Sequence, residues 1–204
     1  MVLPAAVVSF LSPTTVTVGV RARHGAEEQK VSPFAVPAIP PKDAAAALTK
    51  HGSGRYLLLD VRPPWEREKA WVRGSLHVPI YVEDTGADPI TLLKKWVHFG
   101  YVGLWTGQRF TTINPGFVSE VDKVVPSKEE KLLVACGEGL RSTVAVRKLI
   151  GGGYRNLALL AGGFNRAREE DFTQVEGESK LRYATVGGVS WFFLQLLLVL
   201  RAVV

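Results

Sequence analysis

Apolar and polar positions alternate in blocks between residues 35 and 172. Tyr56–Val61 (YLLLDV) is a continuous apolar run broken only by Asp60, the pattern of a strand buried on both faces of a parallel sheet. Lys131–Ala135 (KLLVA) is a second run of this kind and Leu157–Leu160 a third. Between the last two, Ser142–Ile150 spaces Val144, Val146, Leu149 and Ile150 as a helix would. A short apolar run, Ala35–Ile39, precedes Pro40 and Pro41, and Pro41 suits the first turn of a helix through Asp43–Lys50. Strand, helix, strand in this order predicts an α/β domain with a mainly parallel sheet over 35–172.

Residues 80–118 interrupt that rhythm. Pro89–Phe99 predicts a helix opened by proline and apolar on most of its faces, through Ile90, Leu92, Leu93, Trp96 and Val97. Two readings stay open for this insert. One is a lid packed near a site, the other a membrane-contacting surface with Lys94 and Lys95 at the headgroups.

The two ends differ from the middle. Residues 1–34 are rich in Val, Ser, Thr, Ala and Pro; Arg21 and Arg23 are their first charges and Glu27 the first acid. That composition reads as an organelle transit peptide, with a disordered tail as the plainer alternative. A secretory signal fits less well, because no Lys or Arg precedes the apolar start. At the other end, residues 183–200 are 18 positions without a charge. They are just long enough to cross a bilayer as a helix, with Tyr183 and Trp191 as interface anchors. The region 183–204 equally suits an apolar helix packed on the domain or lying in a membrane interface.

Composition narrows the chemistry. The 204 residues carry a formal charge of +6, but residues 42–182 hold 21 Lys and Arg against 17 Asp and Glu. The excess is spread thinly and does not point to nucleic acid. One cysteine excludes an internal disulfide and a Cys-rich zinc site. The four histidines, His24, His51, His77 and His98, lack metal-ligand spacing, so no metal is expected. His77 reads as a hydrogen-bonding loop residue.

The sole cysteine, Cys136, follows the strand KLLVA directly. After it come Gly137, Glu138, Gly139, Leu140, Arg141 and Ser142, then the helix. A strand end, a tight turn and a helix start point successive backbone N–H groups inward as an anion cradle. A cysteine at its mouth is expected to react as the thiolate. Gly137 and Gly139 permit positive φ and close packing, Arg141 can hold the loop or an oxyanion, and Ser142 can cap the helix or donate to the sulfur. A buried, inert cysteine is the usual alternative; the turn, the two glycines and the arginine favour a nucleophile.

Cys136-x-x-Gly139-x-Arg141-Ser142 resembles the active loop of the rhodanese (sulfurtransferase) family. Asp60-Val61-Arg62, Glu66, Gly74 and His77-Val78-Pro79 resemble the family's D-V-R…E…G-x-x-x-[NH]-[IV]-P signature, and Gly153-Tyr154, Leu160 and Gly162-Gly163 resemble its G-[YF]…L-x-G-G. The three matches fall in the family's order across residues 36–168. The resemblance implies a central parallel five-stranded sheet flanked by helices, with the cysteine at the end of the fourth strand, plus a C-terminal apolar helix. It implies ping-pong sulfur transfer through a persulfide on Cys136, between a small-molecule or protein sulfur donor and a thiol acceptor, with no cofactor. The six-residue loop, Cys136 to Arg141, is one residue shorter than that of related phosphatases, which favours sulfur over phosphate. The insert and the two unusual ends look most like plant chloroplast members of the family, which points to a plastid membrane, thylakoid rather than envelope.

Two departures qualify this. Many thiosulfate-using members have a basic residue directly after the cysteine; here Gly137 and the acidic Glu138 follow. A carboxylate there disfavours a dianionic donor by an amount on the order of 1–4 kcal/mol in a partly dry site, so a thiol or protein persulfide is the expected partner. The tryptophan usual after the last Gly-Gly is replaced by Phe164 and Asn165. Asp60 and Arg62 read as structural residues at the rim, Asp60 pairing with an arginine, while Glu66 and Arg73 are as readily solvated as functional. A non-catalytic scaffold module with the same fold is the rival reading.

Overall fold

The structure, a computed structural model, describes residues 36–49, 54–125 and 127–203. The expected transit segment, residues 1–34, lies outside them, as do Ala35 and Lys50 at the edges of two expected elements.

Five short strands make one parallel sheet: β1 (Ala38–Ile39), β2 (Leu57–Asp60), β4 (Leu76–His77), β7 (Leu132–Ala135) and β8 (Leu157–Leu160), in the order β1-β8-β7-β2-β4. The runs of Leu and Val that predicted the strands lie at its centre. β7 pairs with β2 on one side, Leu57 opposite Leu132, and with β8 on the other, Leu132 opposite Leu157. Two small antiparallel pairs lie outside it: β3 (Trp71–Val72) with β9 (Val175–Glu176), and β5 (Tyr81–Glu83) with β6 (Thr111–Ile113).

Side chains along β7 alternate between two cores. Leu132 and Val134 point to one side, where α5 (Phe117–Val124) and α6 (Leu140–Gly151) supply Phe117, Val121 and Leu149. Leu133 and Ala135 point to the other, toward Ala44 of α1 (Pro41–Thr49) and toward Phe164 and Phe172. Both faces are covered, which is why these strands read as unbroken apolar runs rather than alternating ones. The same period of two carries Cys136, the residue after β7, onto the α6 side. A four-residue helix, α2 (Pro64–Arg67), follows β2.

The insert forms one helical trace. Asp88 caps α3 (Pro89–His98) by accepting the Thr91 N–H at 3.0 Å. A π-helical turn, Phe99–Gly103, continues into α4 (Leu104–Thr106), and Gly107 ends it at a φ of 70°.

At the C-terminus the structure differs from the uncharged run as read in the sequence. Leu181–Tyr183 form a 3-10 turn and α7 starts only at Gly188, covering Gly188–Val203. The reason is local. Ala184 is fully buried, Thr185 Oγ1 donates to Asn165 Oδ1 at 3.0 Å, and the Val186 carbonyl accepts from Lys69 Nζ at 2.7 Å, so residues 184–186 are tied to the domain. The 16 residues of α7 rise about 24 Å, less than the hydrocarbon thickness of about 30 Å. No helix among the described residues is long and apolar enough to cross a membrane.

Candidate active site

β7 is the central strand of the sheet, and Cys136, the residue after it, is 1% exposed. The chain then turns through Gly139, whose φ of 104° is the left-handed conformation that a side chain would resist. That turn directs two backbone N–H groups at the sulfur: Gly139 N–H donates to Cys136 Sγ at 3.1 Å and Ser142 N–H at 3.3 Å. Both belong to the start of the 12-residue α6, where unpaired amides give a positive end. The loop is thus built to hold negative charge on sulfur.

Gly137 serves the expected close packing but not a positive φ. A Cβ there would lie 2.3 Å from Thr185 Cγ2 and 3.0 Å from Arg141 Nη2. Its missing side chain is what lets the C-terminal segment cross the loop. Ser142 also departs from expectation. Gly139, not Ser142, is the helix cap, and the Ser142 hydroxyl donates to the Gly139 carbonyl at 2.7 Å. Its one proton is therefore used, and Ser142 Oγ accepts from the Cys136 thiol at 3.6 Å instead of donating to it.

The loop is braced from behind. Phe164 N–H donates to the Cys136 carbonyl at 2.9 Å and Asn165 N–H to the Gly137 carbonyl at 2.8 Å. These bonds turn the loop's oxygens away from the sulfur. Gly163 makes the approach possible: a Cβ on it would fall 2.3 Å from the Gly137 carbonyl oxygen.

Arg141 does not point freely into the loop. Its Nη1 donates to Glu66 Oε1 at 2.7 Å and its Nη2 to Glu66 Oε2 at 2.6 Å. Burial alone would lower the pKa of the guanidinium, but the Glu66 carboxylate and the nearby Cys136 together raise it above its ordinary value. Glu66 is almost fully buried, which rules out the solvated one of its two readings. Its place in the D-V-R…E signature was the one sign of this in the sequence. Arg73, by contrast, is largely exposed and pairs with Glu176 at 2.5 Å.

Asp60 and Arg62 sit behind the site, both fully buried. Arg62 Nη2 donates to Asp60 Oδ2 at 2.7 Å and to the Ala70 carbonyl at 2.8 Å, and its guanidinium lies over the Phe164 ring at 4.4 Å. Asp60 is thus occupied by arginine, and the pair locks β2 to the segment that braces the cysteine loop. His77 Nε2 lies 2.9 Å from the Arg62 carbonyl oxygen, a hydrogen bond to the same segment.

In front of Cys136 opens a cavity of about 460 Å³. Glu138, Leu140 and Arg141 line it from the loop, Thr106 and Gln108 from the end of the insert, and Thr185–Gly187 and Ser190 from the C-terminal segment. The last of these walls carries no motif and is not visible in the sequence, whereas the insert wall is in keeping with the reading of residues 80–118 as a lid near a site. Glu138 and Leu140 are exposed at the rim. Among the described residues no group of three or more His, Cys, Asp or Glu is placed to hold a metal ion.

Comparisons with known proteins agree with this geometry. The family model of the rhodanese-like domain matches residues 43–170, more than half of the chain. Rhodanese-like domain-containing protein 10 of Arabidopsis thaliana is 60% identical over 165 residues, covering 81% of this chain and 76% of that protein. Rhodanese-like domain-containing protein 11, chloroplastic, of the same plant is 40% identical over 154 residues, covering 76% of this chain and 51% of that protein. Rhodanese-like domain-containing protein 9, chloroplastic, is 34% identical over 134 residues, covering 66% and 56%. The chain therefore spans only about half the length of these last two. The matched span takes in β2, β4, β7 and β8 and the whole cysteine loop, and the chain belongs to the rhodanese-like domain family.

Proposed function

We propose that this chain is a sulfurtransferase that carries sulfane sulfur as a persulfide on Cys136. The observation that carries this reading is the pair of N–H groups, of Gly139 and Ser142, aimed at one sulfur that faces a cavity. The Cys136 thiolate attacks the outer sulfur of a donor persulfide. A new S–S bond forms on Cys136, the donor's S–S bond breaks, and its electron pair leaves on the donor thiolate. An acceptor thiolate then attacks the outer sulfur and restores Cys136, with no net oxidation. The two amides stabilise the charge that remains on sulfur at each stage.

The cavity's charges bear on the donor. Among the described residues, the charged ones that line it are Glu138 and Arg141, and Glu66 already neutralises Arg141. No cation is left to offset a dianion, and Thr185 occupies the space a basic residue at position 137 would need. A thiol-borne or protein-borne persulfide suits this cavity better than thiosulfate. Residues 1–34 and the chloroplastic names of two relatives support a plastid location. The uncharged run 183–200 supports membrane contact through α7.

The test is intact mass. After incubation with a persulfide donor, the purified protein gains the mass of one sulfur, and Cys136→Ser gains none. A protein that gains no sulfur from any donor supports a second reading, a binding module of the same fold, which the near-complete burial of Cys136 favours.

A further inference from the structure

We infer that the insert helix and α7 form one joint face that lies on an anionic lipid surface, with the mouth of the Cys136 cavity at its edge. This extends the reading of α7 as a membrane-contacting element to a second, separate stretch of chain. Single exposed apolar residues need no explanation; two adjoining helices covered with them do. Leu93, Trp96 and Tyr101 are 65%, 83% and 83% exposed, and on α7 Phe192, Leu197 and Leu200 are 68%, 63% and 55% exposed. No side chain of α3 is buried.

The two stretches are fixed to each other by glycine. A Cβ on Gly107, which ends the insert helix, would lie 2.5 Å from the Gly188 nitrogen, and one on Gly188 would lie 2.4 Å from the Leu104 carbonyl oxygen. The backbones are in contact where the end of the insert helix meets the start of α7.

Charge and ring chemistry select the occupant. Residues 89–107 and 183–203 contain no Asp or Glu, and Lys94 and Arg201 are exposed on them. Trp and Tyr on such helices settle at the headgroup level, with apolar side chains below and cations beside the phosphates. The same two stretches supply Thr106, Val186 and Ser190 to the wall of the Cys136 cavity. Docking therefore brings the cavity mouth to the headgroup layer, where a membrane-borne sulfur partner reaches it directly.

The experiment is flotation of the full chain with phosphatidylcholine–phosphatidylglycerol vesicles and with pure phosphatidylcholine vesicles. Leu93→Ser/Trp96→Ser disarms the insert and Phe192→Ser/Leu197→Ser disarms α7. Each pair is expected to lower binding to the mixed vesicles by about tenfold or more, and the pure phosphatidylcholine vesicles to bind the wild-type chain more weakly. Brominated lipid reports on the face itself: quenching in the wild type should drop in Trp96→Phe, a change that leaves the fold's core untouched. Full binding by the insert variant, with no Trp96 quenching, overturns the joint face while leaving the reading of α7 intact. Failure of the wild-type chain to bind overturns both. Self-association without lipid that the same variants abolish assigns the face to a second copy and also overturns the proposal. Persulfide formation, read by mass in vesicle-free samples of the same variants, stays at the wild-type level, because none of the four residues lines the cavity; sulfur chemistry and lipid binding therefore fail separately.

Discussion

Glu66 and Arg141, 75 residues apart in sequence, meet through two parallel hydrogen bonds of 2.7 and 2.6 Å beside the cysteine loop. The fork fixes the guanidinium plane, and with it the turn from Cys136 to Ser142. The arginine is positioned by a carboxylate supplied from α2, so the loop's shape depends on a contact that it does not contain.

Glu66→Gln should therefore destabilise the fold and slow sulfur loading together. Breaking a buried ion pair costs about 3–5 kcal/mol, and the partial exposure of Arg141 reduces this to about 2 kcal/mol. Arg141→Lys keeps the charge but loses the fork, and should lower the rate of persulfide formation by about tenfold while preserving most of the stability. Urea melts and time-resolved intact mass separate the two effects. Equal loss of rate and stability in both variants would argue that Arg141 acts only as a structural tie.

A second prediction concerns position 137. Gly137→Ala places a methyl group 2.3 Å from Thr185 Cγ2, an overpacking that should cost about 1–3 kcal/mol. Thr185→Ala removes that Cγ2 and leaves its Cβ at an ordinary 3.5 Å. The double variant should recover most of the loss in a thermal melt, even though Thr185→Ala alone gives up the hydrogen bond to Asn165. An additive double variant would mean that the C-terminal segment does not press on the loop.

These contacts mark where the sequence was legible. The cysteine, the turn and the start of α6 are contiguous, so local spacing shows them. The strands at 57–60, 132–135 and 157–160 are legible because burial on both faces leaves Asp60 as the one polar position in the pattern. Glu66 stays open between a surface and a site role because only the D-V-R…E signature marks it and nothing next to it in sequence announces Arg141. Thr185 lies in an uncharged run that hydropathy assigns to the following helix, and only the three-dimensional path shows that it crosses Gly137 first.

Glu138 stands exposed at the cavity rim and takes no part in the Glu66–Arg141 fork. Glu138→Lys should lower the apparent KM for thiosulfate by about three- to tenfold, the range of an exposed charge reversal near about 1 kcal/mol. The effect should shrink with added salt. A neutral persulfide donor should show little change, and an unchanged KM for thiosulfate would count against the role given to this carboxylate.

Tyr154 gives a prediction in pH. Its hydroxyl lies 2.8 Å from both Asp122 Oδ1 and the Val125 carbonyl oxygen, tying the end of α6 to α5. Burial raises the phenol's pKa, and Asp122 raises it further, because the anion would be desolvated and repelled by the carboxylate. The unfolded chain loses this proton near pH 10 while the folded chain keeps it. The stabilisation is thus fully present below pH about 10 and fades as pH rises toward the folded value. Urea melts between pH 8 and pH 11, values chosen roughly to bracket that onset, should show stability falling at the alkaline end. Tyr154→Phe should lose about 1 kcal/mol at neutral pH and flatten the alkaline fall. A variant with the same alkaline slope as the wild type would place the titrating group elsewhere.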